Sequence, residues 1–228
     1  MIRLALTFLT TFLLLSLCID GKTKTNDESF SFIETSSDSS SLRYVRTFKC
    51  ISKKGDDLES LYRAIKLQAI GIGANCFRYN NFMRDSMGTM ALTLDTYYGD
   101  DTFTNINLNN HERNTVYIIS DGNFNSRTYT FKTDKEKRII KSGTYYKHTI
   151  NKGEKVKIKK GGFFGASATI SWDENNTCEF FSLSGFGLAD MPLLVNPMPR
   201  VGVSFTTGRL KPVERSFGLL LTMILKQS

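Results

Sequence analysis

Hydrophobic and polar residues alternate along most of the chain after residue 110, a two-residue period typical of β-strands with one buried face. Val156 and Ile158, for example, alternate with three lysines. The pattern predicts six strands, at 115–120, 127–132, 144–150, 155–159, 166–172 and 178–183. Short turns containing glycine or asparagine separate them, so we predict an antiparallel β-sandwich or a barrel-like domain over 111–228.

A helical period of 3.6 residues replaces this alternation between residues 56 and 73. Asp56 is the predicted N-cap, with Glu59 three residues later. The apolar face consists of Leu58, Leu61, Tyr62, Ile65, Ala69 and Ile72. Strands predicted at 42–51, 76–82 and 89–98 surround this helix and make 42–110 a βαββ segment. The predicted fold class is therefore α+β, mostly β.

The N-terminus carries a continuous apolar run over residues 4–17, which Arg3 precedes and Asp20 follows. A transmembrane helix needs about 20 apolar residues, so this run is short for a span. A positive start, an apolar centre and a small-residue end are typical of a secretory signal peptide. We predict a signal peptide at 1–18 and a secreted or outer cell envelope location.

Cys18 has two interpretations. Ser16 and Cys18 are small residues at the positions that a cleavage site prefers, which favours removal of residues 1–18. The sequence Leu-Ser-Leu-Cys is also similar to a bacterial lipobox, with a departure at Leu17, and would then make Cys18 the lipidation site. In either case the polar, serine-rich residues 19–41 are predicted to be a flexible linker.

The chain has 228 residues and a formal net charge of +8. Such a charge either serves solubility alone, the commoner role, or favours anionic partners. On a strand, Lys155, Lys157 and Lys159 share one face, and Lys147 is near in sequence. These four lysines are a candidate strip for an anionic glycan or lipid surface. The alternatives are a solvated sheet face and an edge strand that lysines protect against aggregation.

Specific binding of nucleic acid is not expected, because the neighbouring aromatic residues Phe163 and Phe164 are predicted at a strand junction and not interleaved with the lysines. Three cysteines follow the predicted signal peptide. Cys50 and Cys76 flank the predicted helix and are the candidate disulfide pair, whereas buried free thiols are the alternative.

Short strand and turn motifs recur between about residues 115 and 165. They are Val116-Tyr117-Ile118, Tyr129-Thr130-Phe131, Lys141-Ser142-Gly143-Thr144-Tyr145-Tyr146 and Asn151-Lys152-Gly153-Glu154-Lys155-Val156. This succession resembles small β-rich domains of bacterial envelope proteins and lipoproteins of unknown function. The resemblance implies a β-sandwich and an envelope location, and it implies no catalytic residue.

The sequence contains no motif for a catalytic, cofactor or metal site: His111 and His148 lack metal-ligand spacing, and no G-x-S-x-G is present. We therefore predict a non-catalytic structural or binding module without a cofactor. The alternative is a secreted hydrolase whose carboxylates converge only in the folded chain. Its candidate carboxylates are Asp95, Asp100, Asp101 and Glu112.

Overall fold

The computed structural model describes residues 30–53, 56–122, 124, 126–134, 136–161, 165–184 and 210–228. The predicted signal peptide, Cys18 and the aromatic pair Phe163 and Phe164 lie outside the described residues. No helix among the described residues has the length and apolar character that crossing a bilayer requires.

The described residues form three helices and thirteen strands in three open sheets. The helices are α1 (Leu58–Gly71), α2 (Asp101–Asn110) and α3 (Arg215–Ile224). The strands are β1 (Ser31–Phe32), β2 (Arg43–Ile51), β3 (Cys76–Arg84), β4 (Met90–Tyr98), β5 (Thr115–Ile119), β6 (Thr128–Thr133), β7 (Glu136–Lys141), β8 (Thr144–Thr149), β9 (Lys155–Lys160), β10 (Ala166–Ser171), β11 (Glu179–Ser182), β12 (Lys211–Val213) and β13 (Lys226–Gln227). The predicted α+β, mostly β class is confirmed.

The first sheet, here called the N-terminal sheet, has the strand order β1-β3-β4-β2. Strands β2 and β3 run antiparallel to β4, and α1 connects β2 to β3 and packs on the sheet. The predicted βαββ succession is thus present. The N-cap of α1 is Asp57, one residue after the predicted Asp56, because the Asp57 carboxylate accepts the Ser60 backbone N–H at 2.9 Å.

The other two sheets pack on each other. The central sheet has the order β12-β11-β5-β8-β13 and contains both parallel and antiparallel pairs, whereas the outer sheet, β10-β9-β6-β7, is fully antiparallel. Alternate residues of both sheets form one buried cluster between them. It contains Val116, Ile118, Phe131, Ile140, Val156, Ile158, Ile170 and Phe181. The opposite face of the outer sheet is consequently exposed to solvent.

A larger core lies on the other face of the central sheet. It joins the N-terminal sheet and α1 to α3 and to the central strands. Tyr62 of α1 stacks on Phe217 of α3 with ring centroids 5.0 Å apart, and Tyr117 stacks on Phe180 at 4.7 Å. The two predicted segments, 42–110 and 111–228, therefore share one hydrophobic core.

The predicted flexible linker enters the fold at its C-terminal part. Phe30, Phe32 and Ile33 are buried, and β1 pairs in parallel with β3. Burial of one large apolar side chain stabilises a fold by about 1.5–3 kcal/mol, which outweighs the polar composition around these residues. The linker prediction is therefore wrong at residues 30–33.

Helix α2 and strand β7 are among the elements that were not predicted from the sequence. Helix α2 buries only Phe103 and Asn107, so its sequence has almost no apolar period, and its clearest local signal is the Asp100 N-cap. Strand β7 lies at the edge of the outer sheet and buries only Ile140. Both elements form where tertiary contacts outweigh weak local patterns.

Candidate functional site

The three lysines of β9 lie on the solvent face of the outer sheet. Lys155, Lys157 and Lys159 are exposed, while Val156 and Ile158 between them point into the core. The predicted alternation is confirmed. Strand β9 lies between β10 and β6, so it is an interior strand of its sheet.

The register of the outer sheet adds further lysines to this face. Lys132 of β6 lies opposite Lys159, and Lys137 of β7 lies opposite Lys132. These three lysines form a row across three strands, with strand spacings of about 4.8 Å. Lys141 lies four residues after Lys137 and faces the same side.

The six exposed lysines lie on one face and are here called the lysine stripe: Lys132, Lys137, Lys141, Lys155, Lys157 and Lys159. It runs along β9, crosses to β7 and continues to the end of β7. From the strand rise and the strand spacing, its length from Lys155 to Lys141 is about 28 Å. The stripe is therefore long and narrow, and the exposed Ile139 interrupts its positive charge between Lys137 and Lys141.

Acidic side chains do not neutralise the stripe within the described part of the chain. None of its six lysines forms an ion pair there. Asp134 lies beside Lys157 on the neighbouring segment, and its carboxylate accepts the backbone N–H of Lys157 at 2.9 Å. Exposed hydroxyls from Ser167, Thr169 and Ser171 flank the lysines on β10. The face presents ammonium and hydroxyl groups together.

Lys147 does not belong to the stripe. It lies opposite Tyr117 in the central sheet, and Tyr117 belongs to the core on the side away from the outer sheet. The Lys147 ammonium also pairs with the Glu112 carboxylate at 2.6 Å. The prediction that Lys147 belongs to the strip is wrong. Lys147 is near β9 in sequence, but it lies on β8, which belongs to the central sheet.

The predicted pairing of Cys50 with Cys76 is also wrong. Both are free thiols, on β2 and β3, and β4 lies between these strands. Their partners on β4, Leu92 and Tyr97, are five residues apart, which corresponds to about 16 Å along the strand. A disulfide needs Cα atoms within about 7 Å.

The four carboxylates of the hydrolase alternative do not converge. Asp95 lies in the N-terminal sheet, where Asn80 donates to it at 2.9 Å. Asp100 caps the N-terminus of α2 and Asp101 begins that helix, whereas Glu112 follows its C-terminus. Ten helical residues separate the two ends by about 15 Å.

Another acidic pair does come together. Burial raises the pKa of Glu34, and the nearby Glu112 carboxylate raises it further. Partial burial also raises the pKa of Glu112, but hydrogen bonds from Lys147 and Tyr117 outweigh this effect and lower the pKa overall. His111 is buried beside them, with its Nε2 3.8 Å from Glu34 Oε1. This cluster holds two carboxylates of different acidity.

A cavity of about 370 Å³ lies next to the cluster, between the end of α2, β11, β12 and the start of α3. Its polar lining includes His111, Cys178, Glu179 and Arg215. Burial raises the pKa of the Cys178 thiol to about 12, so the thiolate that nucleophilic chemistry requires is scarce at neutral pH. Among the described residues, no group of three His, Cys, Asp or Glu side chains can hold a metal ion.

Comparison of the chain with protein-family models, with curated proteins and with solved structures finds no match. The resemblance to bacterial envelope domains stays a prediction. Function is therefore inferred from the surfaces of the fold, among which the lysine stripe has the most distinct chemistry.

Proposed function

We propose that this protein is a non-catalytic binding module, secreted or held at the outer cell envelope, whose lysine stripe binds a linear anionic glycan. The observation that carries the proposal is the position of Lys132 and Lys159 inside the outer sheet, where β6 pairs with β9 and the two lysines lie opposite each other. Lys132 lies on β6, and Lys155, Lys157 and Lys159 lie on β9. Lysines that protect a sheet against aggregation are needed at edge strands, so this role does not account for Lys132 and Lys159.

The electrostatic cost of the stripe supports a binding role. Like charges directly opposite each other destabilise a sheet, and Lys132 lies between Lys159 and Lys137. An anionic ligand would neutralise this repulsion. A row of cations also concentrates anions near the surface and accelerates their association.

The shape of the stripe favours a polymer over a bilayer. A band about 28 Å long and two to three strands wide fits an extended chain that carries carboxylate, sulfate or phosphate groups at intervals. Anionic lipids, in contrast, are concentrated in the cytoplasmic leaflet of membranes.

Binding to dextran sulfate, measured by isothermal titration calorimetry with uncharged dextran as the blank, tests the proposal. The stripe variant is Lys155→Gln/Lys157→Gln/Lys159→Gln. The matched control, Lys49→Gln/Lys53→Gln/Lys226→Gln, removes three exposed lysines outside the stripe and the same net charge. We expect the stripe variant to bind at least tenfold more weakly than the control, and the affinity of the unmodified chain to fall as salt rises.

Three results would contradict the proposal. Equal weakening of both variants would show that net charge alone drives binding. If the unmodified chain did not bind dextran sulfate, the stripe would be a solvated sheet face without a binding role. Tighter binding to vesicles of phosphatidylglycerol and phosphatidylcholine than to dextran sulfate would identify a lipid surface as the ligand.

A secreted hydrolase is the second candidate function, and the Glu34–Glu112 pair is the observation that favours it. Two carboxylates whose environments move their pKa values apart are the arrangement that glycoside hydrolysis uses for acid and base. Release of reducing ends from anionic polysaccharide by the unmodified chain, and its loss in Glu34→Gln, would support this function. Polymer binding without release of reducing ends supports the binding module.

A further inference from the structure

Strand β10 is an edge of the outer sheet without any charged residue. Its sequence is Ala-Ser-Ala-Thr-Ile-Ser, and it contains no proline. Beyond its pairing with β9, the structure gives it no second strand partner among the described residues. Its outward backbone N–H and C=O groups pair with no other strand in the described part of the chain, and an unprotected edge of this kind is a template for another strand.

The other long edges of the fold are protected. Strand β2 carries Arg43, Arg46 and Lys49 and is interrupted by a bulge between Tyr44 and Arg46. Strand β7 carries four charged residues among its six. Charged residues and bulges are the usual devices against strand addition, and β10 has neither.

We propose that two copies of this chain pair antiparallel through β10, so that their outer sheets form one continuous eight-stranded sheet. A two-fold axis through Thr169 and perpendicular to the sheet keeps buried residues opposite buried ones. In this register Thr169 lies opposite its own copy, Ser167 opposite Ser171, and Ala168 opposite Ile170. Hydroxyl pairs of this kind across strands are favourable, and no like charges lie opposite each other.

The lysines do not oppose this pairing. Strand β9 of one copy would lie three strand spacings, about 14 Å, from β9 of the other. The Debye length at physiological salt is about 8 Å, so repulsion between exposed lysines at this separation is largely screened.

The dimer places two lysine stripes on one face. Two linked stripes bind one polymer more tightly than either does alone, because the second contact is intramolecular. Dimer formation itself does not depend on the proposed glycan binding and is measured without a polymer. Failure of one proposal is therefore distinguishable from failure of the other.

Sedimentation velocity of the purified chain over a range of concentrations tests the dimer. The unmodified chain is expected to reach twice the monomer mass as the concentration rises. Thr169→Lys and Thr169→Glu each place two like charges opposite each other and should raise the dissociation constant about fivefold or more. An equimolar mixture of the two variants should form a heterodimer, which shows that both variants are folded.

Thr47→Lys adds the same charge to the exposed residue at the centre of β2 and serves as the control. It should leave the dimer unchanged. The proposal is overturned if the unmodified chain remains a monomer at every concentration, or if Thr169→Lys dimerises like the unmodified chain. It is also overturned if the mixture of variants stays monomeric, or if Thr47→Lys weakens the dimer as much as Thr169→Lys does.

Discussion

Lys132 and Lys159 lie directly opposite each other on the antiparallel strands β6 and β9, with both side chains exposed. Lys137 of β7 lies on the other side of Lys132. Three ammonium groups therefore follow one another across the outer sheet without an ion-pair partner among the described residues. This arrangement costs stability and at the same time creates the charge density on which the proposed function depends.

Replacing Lys132 with glutamate should stabilise the fold and weaken polymer binding. The carboxylate would lie between two lysines, and opposite charges across strands contribute roughly 0.2–1 kcal/mol per pair. We expect the free energy of unfolding in urea to rise by about 1 kcal/mol at low salt and by less at high salt.

Lys49→Glu is the control for this change, because Lys49 is exposed and lies opposite Thr93. Its free energy of unfolding should stay within about 0.5 kcal/mol of the unmodified value. A stabilisation of equal size in both variants would mean that net charge, and not the lysine row, causes the effect.

The local part of this site was predictable and the non-local part was not. The alternation around Val156 and Ile158 is a two-residue pattern, so it identified β9 and its three lysines. The position of Lys132 opposite Lys159 depends on cross-strand register, which joins residues more than twenty positions apart, and Lys137 reaches the stripe only through its pairing with Lys132. The lysine-rich segment 132–141 was the available signal, but only the sheet order shows that β6 lies next to β9 and β7 beyond it.

The same contrast applies to the fold. Helix α1 has a clear apolar face and was predicted within one or two residues at each end. Helix α2 and strand β7 bury too few apolar side chains to produce a period. Phe30 and Phe32 lie in a polar segment, and their burial depends on the Phe77 and Tyr62 rings, which are distant in sequence.

Gly218 allows α3 to approach β11 closely, so Gly218→Ala should destabilise the fold. A Cβ atom at this position would overlap Cγ of the buried Phe180 ring. Overpacking of this kind costs about 1–3 kcal/mol, which urea denaturation would measure.

Gly71→Ala is the matched control, because Gly71 is also helical and a Cβ there meets no atom within 4 Å. Alanine should stabilise α1 by about 0.5–1 kcal/mol through helix propensity. If Gly218→Ala were neutral, the packing of α3 against Phe180 would be looser than described.

Tyr129 should make the fold sensitive to alkali. Burial raises the pKa of its phenol to about 12, and its hydrogen bond to Asp121 at 2.5 Å adds to the shift. The folded state holds the Tyr129 phenol proton more tightly than the unfolded state does. The stabilisation that results is therefore present below pH 10 and is lost as the pH rises towards 12.

The comparison of the unmodified chain with Tyr129→Phe tests this dependence. The variant should lose less stability between pH 10 and 12 in urea titrations, although it should be less stable at pH 7 by about 1 kcal/mol because a donor to the buried Asp121 is removed. Tyr98→Phe, at an exposed tyrosine, should keep the alkaline loss of the unmodified chain. An identical pH profile for Tyr129→Phe and the unmodified chain would contradict the account.

The cysteines should remain reduced and differ in reactivity. Cys50 is partly exposed, whereas Cys76 and Cys178 are buried, and burial raises the pKa of each of these two thiols to about 12. In a Cys18→Ser chain, a maleimide should label Cys50 first and the other two only after unfolding. Intact mass before labelling should correspond to three free thiols, and a mass two units lower would indicate a disulfide.

Protection of lysines from acetylation, mapped by mass spectrometry with and without bound dextran sulfate, tests the central claim most directly. The account predicts that the six lysines of the stripe are protected by the polymer, while Lys49, Lys53 and Lys226 are acetylated at unchanged rates. Equal protection at all of these lysines, or protection confined to lysines outside the stripe, would contradict the assignment of the lysine stripe as the binding surface.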